Sequence, residues 1–305
     1  MTIAPPLPKG LNLMDIQFLS AQLLNGLMLG SFFVLLSLGL SIIFGMLGVV
    51  NFAHGTLYML GAYGAYTVCQ VFSQNFWVAI ILAPVIVGII GMVLERFLVR
   101  RLYEFPHYFN LLLTAGLMLS LEELTRMIFT PIGKPFSTPS MFLGSFDLGF
   151  IMFPKYRVFI IFITVICAIG IWLFISKTKF GAIIRAGTDD STMVSALGIN
   201  ISKIFTVVFG IGAALAGLAG VLAAPVQNIV PDMGASMLTE TFVVVIIGGM
   251  GSILGSILGG LIVGELITLG VVFWPPAANI VIFLFMAIIL LVRPRGFFGR
   301  AKFFE

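Results

Sequence analysis

His54 is one of two histidines in this 305-residue chain, and it lies in an apolar setting three residues after Asn51. An imidazole and an amide cost free energy in such surroundings unless they are partnered, so neither is incidental. They could contact a polar solute or relay a proton. They could equally cap a helix or be satisfied inside a packed core, and the residues alone leave both readings open. Glu265 lies between two apolar runs. A carboxylate at such depth is a functional candidate by default, the plainer alternative being a residue paired across helices or placed near an interface. Glu240 stands where its apolar run begins and reads as interfacial. Together with Phe52, these residues form the candidate lining of a polar route: Asn51, Phe52, His54, Glu240 and Glu265. Elsewhere, Glu122 and Glu123 with Arg126 close an apolar run, and Glu122 and Arg126 have the i,i+4 spacing of a local ion pair.

The elements that must position these groups are membrane helices. No Asp, Glu, Lys or Arg occurs between Asp15 and Glu95. A soluble protein cannot keep so long a stretch uncharged, and about 20 apolar residues suffice for one helical crossing. Hydrophobic residues make up 60% of the chain and charged residues 9%, far from the globular average. Only helices or closed barrels satisfy every backbone polar group in lipid. Barrel strands would alternate apolar and polar residues, whereas these runs are continuous. The fold class is therefore an all-α integral membrane protein with about eight to ten transmembrane segments. The net charge of +4 belongs to loop lysines and arginines that set orientation, and no nucleic-acid partner is read from it. Cys69 and Cys167 sit inside apolar runs and read as small buried hydrophobes rather than as a disulfide or metal site. Residues 1–14, with Lys9 and three prolines, read as a flexible lead-in without a signal-peptide cleavage site. Residues 15–293 form a single membrane domain, and 294–305 a cytoplasmic tail.

The charge-free intervals are 16–94, 105–121, 158–176, 204–231, 241–264 and 266–292. Arg96, Arg100 and Arg101 mark loop 95–104 as cytoplasmic, and Lys177, Lys179, Arg185 and Lys203 do the same for loop 177–203. Arg293, Arg295, Arg300 and Lys302 place the tail on that side as well. Segment 130–157, rich in Pro, Ser and Gly, is then external, and so is 225–236. The way back from 225–236 to a cytoplasmic tail needs an odd number of crossings. The run Gly248-Gly249-Met250-Gly251-Ser252 supplies the third by breaking 241–264 into a short helix and a second one ending near Trp274-Pro275-Pro276, since each glycine weakens a helix interior by roughly 1 kcal/mol. Residues 17–50 are too long for one ordinary span and barely long enough for two. Asn51-Phe-Ala-His-Gly55 then interrupts the apolar run. Both halves thus carry a polar or glycine-rich break expected at membrane depth, and paired broken helices point to a transport pathway.

Gly251, Gly255 and Gly259 recur every four residues, as do Gly212, Ala216 and Gly220. Such stripes let helix backbones approach closely, in static packing or at a moving interface. No Walker-type Gly-Lys-Ser/Thr occurs, and Gly249-Met250-Gly251-Ser252 lacks the preceding strand and following acidic residue of a nucleotide loop. Within loop 177–203, Thr188 or Asp189 can cap a short helix whose Met193, Val194 and Leu197 share one face, with Gly198 ending it. A helix lying on a membrane surface should be rich in lysine, whereas this one carries two aspartates, Asp189 and Asp190. Docking into a partner's groove is therefore favoured.

Three motifs occur in order: Asn51-Phe-Ala-His-Gly-Thr-Leu-Tyr-Met-Leu-Gly-Ala-Tyr63, then Ile184-Arg-Ala followed by Ala196-Leu-Gly-Ile-Asn200, then Ile247-Gly-Gly-Met-Gly-Ser-Ile-Leu-Gly255. On these the chain resembles the LivH-type permeases of branched-chain amino-acid ABC importers, from about residue 15 to Arg293-Pro294-Arg295-Gly296. The resemblance implies the ABC importer permease fold in a bacterial cytoplasmic (inner) membrane, and a transporter subunit rather than an enzyme. It implies a second related permease, two cytoplasmic ABC ATPases that use ATP and Mg, and an extracytoplasmic solute-binding protein, with no cofactor held by this chain. It places coupling to the ATPases on about 183–200, with Arg185, Asp189, Asp190, Met193, Leu197, Gly198 and Asn200, while the helix break and its packing rest on the glycine run itself, Gly248, Gly249, Gly251, Gly255 and Gly259. Relatives carry branched-chain or other amino acids, urea, short amides or aromatic acids, so the solute stays open. The rival reading is a stand-alone channel or proton-coupled carrier in which His54 and Glu265 relay protons. It does not require the docking-type loop.

Overall fold

The computed structural model describes residues 13–72, 75–103, 105–147, 149 and 151–299. Helix α1 is Leu13–Leu47, α2 His54–Val71, α3 Phe76–Phe97, α4 His107–Phe129 and α5 Lys155–Lys177. Two short helices follow, α6 Lys179–Asp189 and α7 Ser191–Ala196, and then α8 Ile201–Ala223, α9 Met233–Gly248, α10 Ile253–Phe273 and α11 Ala278–Val292. The external segment adds one small hairpin, with β1 Ser145–Asp147 antiparallel to β2 Met152–Pro154. Among the described residues, five helices are long and apolar enough to cross a membrane, and α9 and residues 280–292 of α11 are shorter apolar helices.

The region 17–50 is a single 35-residue helix rather than two spans. It carries no proline, its one charge is Asp15 in the first turn, and its middle is buried on every side, with Phe32, Phe33, Leu35, Leu36 and Leu38 all at 1% exposure or less. A helix apolar all round is a core helix, and α1 is the pillar about which α5, α8, α9 and α10 pack. Glycines set these contacts. Gly212 faces Gly39 and Ile43, Gly260 faces Val34, Gly264 faces Gly26 and Gly30, Gly61 and Gly220 let α2 and α8 close on each other, and Gly217 faces Val87 of α3.

The basic segments gather at one end. Arg100, just past α3, donates to the Ser202 carbonyl at the start of α8 (2.9 Å) and to Thr206. Gly187 of α6 lies against Met46 at the end of α1, and the tail residue Phe298 shares a cavity wall with Arg185. At the other end, Lys134 and Ile229 exchange both backbone hydrogen bonds (2.9 and 3.3 Å), which joins the two segments expected to be external.

The break at Gly248–Ser252 divides α9 from α10 as its glycines predict, with Gly249 at φ +96° and Gly251 at +79°. Its depth differs from expectation: it lies at the basic end beside Arg185 and Thr188 of α6, not in mid-membrane. The freed carbonyls explain why it is stable. Phe297 N–H donates to Ile247 O (2.8 Å) and Phe298 N–H to Gly248 O (3.0 Å), so the chain after α11 clasps the end of α9. Ser252 caps α10 by accepting from Gly255 N–H (3.1 Å). The clasp needs a bare backbone, because Gly296 sits at φ +72° directly against Gly249. Gly296→Val is expected to cost about 2 kcal/mol or more, read as a lower midpoint of thermal unfolding in detergent. An unchanged midpoint would show that the clasp contributes nothing.

The other break does reach the interior. After α1 ends at Leu47, residues 48–53 fold back and α2 begins at His54, beside Leu36, about three turns before the end of α1.

Candidate functional site

Asn51 and His54 are both fully buried. Asn51 Oδ1 accepts from Ala53 N–H (3.1 Å), and its carbonyl accepts from His54 N–H (3.2 Å). Thr56 Oγ1 donates to Ala53 O (2.7 Å), and His54 Nε2 pairs with Leu36 O (3.0 Å). A helix that starts inside a membrane protein must have its first amides and the carbonyls around them satisfied by protein. These bonds satisfy the Ala53 and His54 amides at the start of α2, while Asn51 Nδ2 and His54 Nδ1 are buried without a partner among the described residues. Neither residue lines either of the two described cavities.

Phe52 is half-buried and its ring packs on Phe242 of α9 (5.2 Å between centroids). That brings Phe52 onto α9, the helix that carries Glu240, whereas Glu265 belongs to α10. One carboxylate oxygen of Glu265, Oε2, is buried and unpartnered among the described residues. The carboxylate lies against the bare Cα of Gly26, at the end of α1 where Arg157 donates to Asn25.

Glu240 belongs to a feature that the residue-by-residue reading missed. Asp232, Ser236, Thr239 and Glu240 recur at i, i+4, i+7 and i+8, one face of a helix. That face is exposed or half-exposed, while the opposite side of α9 (Met233, Met237, Leu238, Thr241, Val244) is buried. Glu240 lies within electrostatic reach of Tyr58, whose hydroxyl donates to Gln227 (3.2 Å). Lipid does not solvate a face of this kind, so it fits a water-lined route or another protein surface. The spacing was available in the sequence, and the apolar residues between these positions hid it.

The chain matches the family model described as branched-chain amino acid transport system, permease component, over residues 22–292. It is 31% identical to the permease protein BraD of the high-affinity branched-chain amino acid transport system of Pseudomonas aeruginosa, over 92% of this chain and 96% of that protein. This chain belongs to the branched-chain amino acid permease family. The corresponding permease LivH of Escherichia coli K12 is 29% identical over 92% of this chain and 96% of its own. The LivM permease of the same organism is a more distant relative, 24% identical over 75% of this chain and 59% of its own. No solved structure matches. The permease is a transporter subunit rather than an enzyme, and its apolar helices make it a multi-pass protein of the bacterial cytoplasmic membrane.

At the basic end of the permease, loop 177–203 forms two helices rather than one. Thr178 caps α6 by accepting from Gly181 N–H (3.0 Å), and Arg185 donates back to the Ile175 carbonyl at the end of α5. The cap of α7 is Asp190, whose carboxylate accepts from Met193 N–H (2.9 Å), and not Thr188 or Asp189. Thr188 lies within α6 and donates to Ile184 O, so it cannot start the next helix. Gly198 stands at φ +83° just past α7 and ends it. Val194 points inward at 3% exposure, but Met193 and Leu197 point out at 61% and 74%. The three therefore do not share one face. Asn200 caps α8 by accepting from Lys203 N–H (3.2 Å).

A buried ion pair near α8 also escaped the sequence reading. Glu95 is fully buried and accepts from Arg100 Nε (3.1 Å), Arg100 Nη2 (2.9 Å) and the Tyr103 hydroxyl (2.8 Å). Burial and then the Glu95 carboxylate hold the Tyr103 phenol well above its ordinary range, so it stays a neutral donor.

Proposed function

We propose that this permease is one membrane-spanning half of an ATP-driven, binding-protein-dependent importer of branched-chain amino acids. The relatives named as permeases of branched-chain amino acid transport systems support the solute class. That LivH and LivM both resemble this chain supports a second, related permease as its partner. Two cytoplasmic ATPases that use ATP and Mg, and an external solute-binding protein, complete the assembly.

The polar face of α9 carries this reading. The route runs along Asp232, Ser236, Thr239 and Glu240, with Phe52 at its side, and the second permease closes it from the other side. Asn51 and His54 act one step back, by holding the start of α2 that presents Phe52 and Tyr58. A zwitterion crossing there meets the hydroxyls of Ser236 and Thr239 and the carboxylates of Asp232 and Glu240 in place of water. ATP closes the two ATPases, which draw α6 and α7 with them. Helix α5 leads directly into α6 and α8 follows α7, so both tilt, and α8 carries α2 through their glycine contacts. ATP drives the change because the partner subunits bind it better in one state.

The test is uptake of labelled leucine into vesicles that hold the purified complex with its binding protein. Glu240→Leu is expected to cut ATP-dependent uptake by at least about tenfold, the equivalent of losing one 1.4 kcal/mol interaction, with assembly retained. Uptake by this chain alone, driven by a proton gradient, would overturn the importer reading in favour of a carrier.

A further inference from the structure

A cavity of about 260 Å³ opens between the basic-end termini of α1, α5, α6 and α10. Its mouth includes Trp172 and Leu254, exposed at 42% and 52% on the outer surface of the bundle. Inside are Arg185, Thr188, Ser252 and Ser176, and no acidic residue lines it. Ser176 Oγ is buried and has no partner among the described residues. One guanidinium nitrogen of Arg185 holds the Ile175 carbonyl, which fixes the fork in the wall and leaves further donors for a ligand. An apolar, outward-exposed part of the lining beside a fixed cation and hydroxyls matches an amphiphile with an anionic head.

We infer that this cavity binds the phosphate head group of an anionic phospholipid from the leaflet on the basic side. Arg185 supplies the charge-assisted hydrogen bonds, Ser176 and Thr188 add hydroxyls, and Trp172 and Leu254 flank the upper acyl chain. The lipid thereby ties α6 to α5 and to the start of α10. This site does not depend on the solute or on the ATPases.

The test is native mass spectrometry of the full-length chain in mild detergent, with phosphatidylglycerol and phosphatidylcholine offered at equal concentration. Wild type is expected to retain one phosphatidylglycerol in clear preference. Arg185→Gln and Leu254→Trp are each expected to reduce that retention by about tenfold, the first by removing the charge and the second by filling the mouth. Leu254→Trp leaves the Arg185–Ile175 bond intact, so it decides the matter even if Arg185→Gln folds poorly. Equal retention of both lipids would overturn the proposal, and so would unchanged retention in Leu254→Trp. Displacement of the lipid by millimolar glycerol phosphate would likewise overturn it, by pointing to a soluble anion.

Discussion

Replacing Met193 and Leu197 together by aspartate is expected to abolish ATP-dependent uptake and to release the ATPases during purification. Met193 projects from the six-residue helix α7 and Leu197 from its C-cap, with Val194 buried below, Asp190 at the start and Gly198 just past the end. Being exposed, they contribute little to the fold, and changes at such positions usually stay within about 0.5 kcal/mol of neutral. Apolar anchors that fill a partner's groove can each contribute about 2 kcal/mol to association, and a carboxylate in their place must also be desolvated. The two losses together weaken association by about a thousandfold. Co-purification of the ATPases and uptake of labelled leucine measure both consequences. A double variant that keeps its ATPases and transports normally would remove α7 from the coupling path. Asp190→Ala tests the same helix more gently. It removes the cap, which costs about 1 kcal/mol, and should lower uptake only in part.

Glu95→Ala is expected to be the most destabilising single change at the basic end. It leaves Arg100 without its carboxylate at the joint between α3 and α8, and strips the Tyr103 hydroxyl of its acceptor. Removing one partner of a buried pair typically costs 3–5 kcal/mol, and the 29% exposure of the Arg100 side chain reduces this to about 2–3 kcal/mol. The midpoint of thermal unfolding in detergent should then fall by about 5 °C or more. Tyr103→Phe removes a single hydrogen bond to the same carboxylate and should fall less, by about 1.5 kcal/mol. An order of effects in which Tyr103→Phe equals or exceeds Glu95→Ala would refute this account of the cluster. Arg100 also holds Ser202 and Thr206, so loosening it frees the first turns of α8, the helix that follows α7.

The roles of individual polar residues show where local reading stops. Asn51 and His54 are conspicuous in sequence because they are polar among apolar neighbours. What they do depends on Leu36, eighteen residues before His54, whose carbonyl pairs with the imidazole. Glu265 is equally conspicuous, and the space that admits its carboxylate is provided by Gly26 on another helix. Glu95 attracted no attention because a carboxylate near a cluster of arginines is ordinary in a loop. Its complete burial, and its hold on the Arg100 that reaches α8, are what make it a structural pivot.

Membrane residence, the helical class, the gathering of the basic loops on one side, the break at Gly248–Ser252 and the end of α7 at Gly198 all follow from the sequence by itself. Each depends on apolar run length, net charge or the φ preference of glycine, properties that one short segment carries whatever it packs against. Only the tertiary structure decided that α1 is one helix and that α2 starts deep in the core. It also decided that α9 turns a polar face outward, that the tail clasps the broken end of α9, and that Asp190 rather than Asp189 caps α7. Those outcomes depend on which distant backbone or side chain satisfies a freed hydrogen-bonding group. Burial of one face against another helix cannot be read from the periodicity of that helix alone.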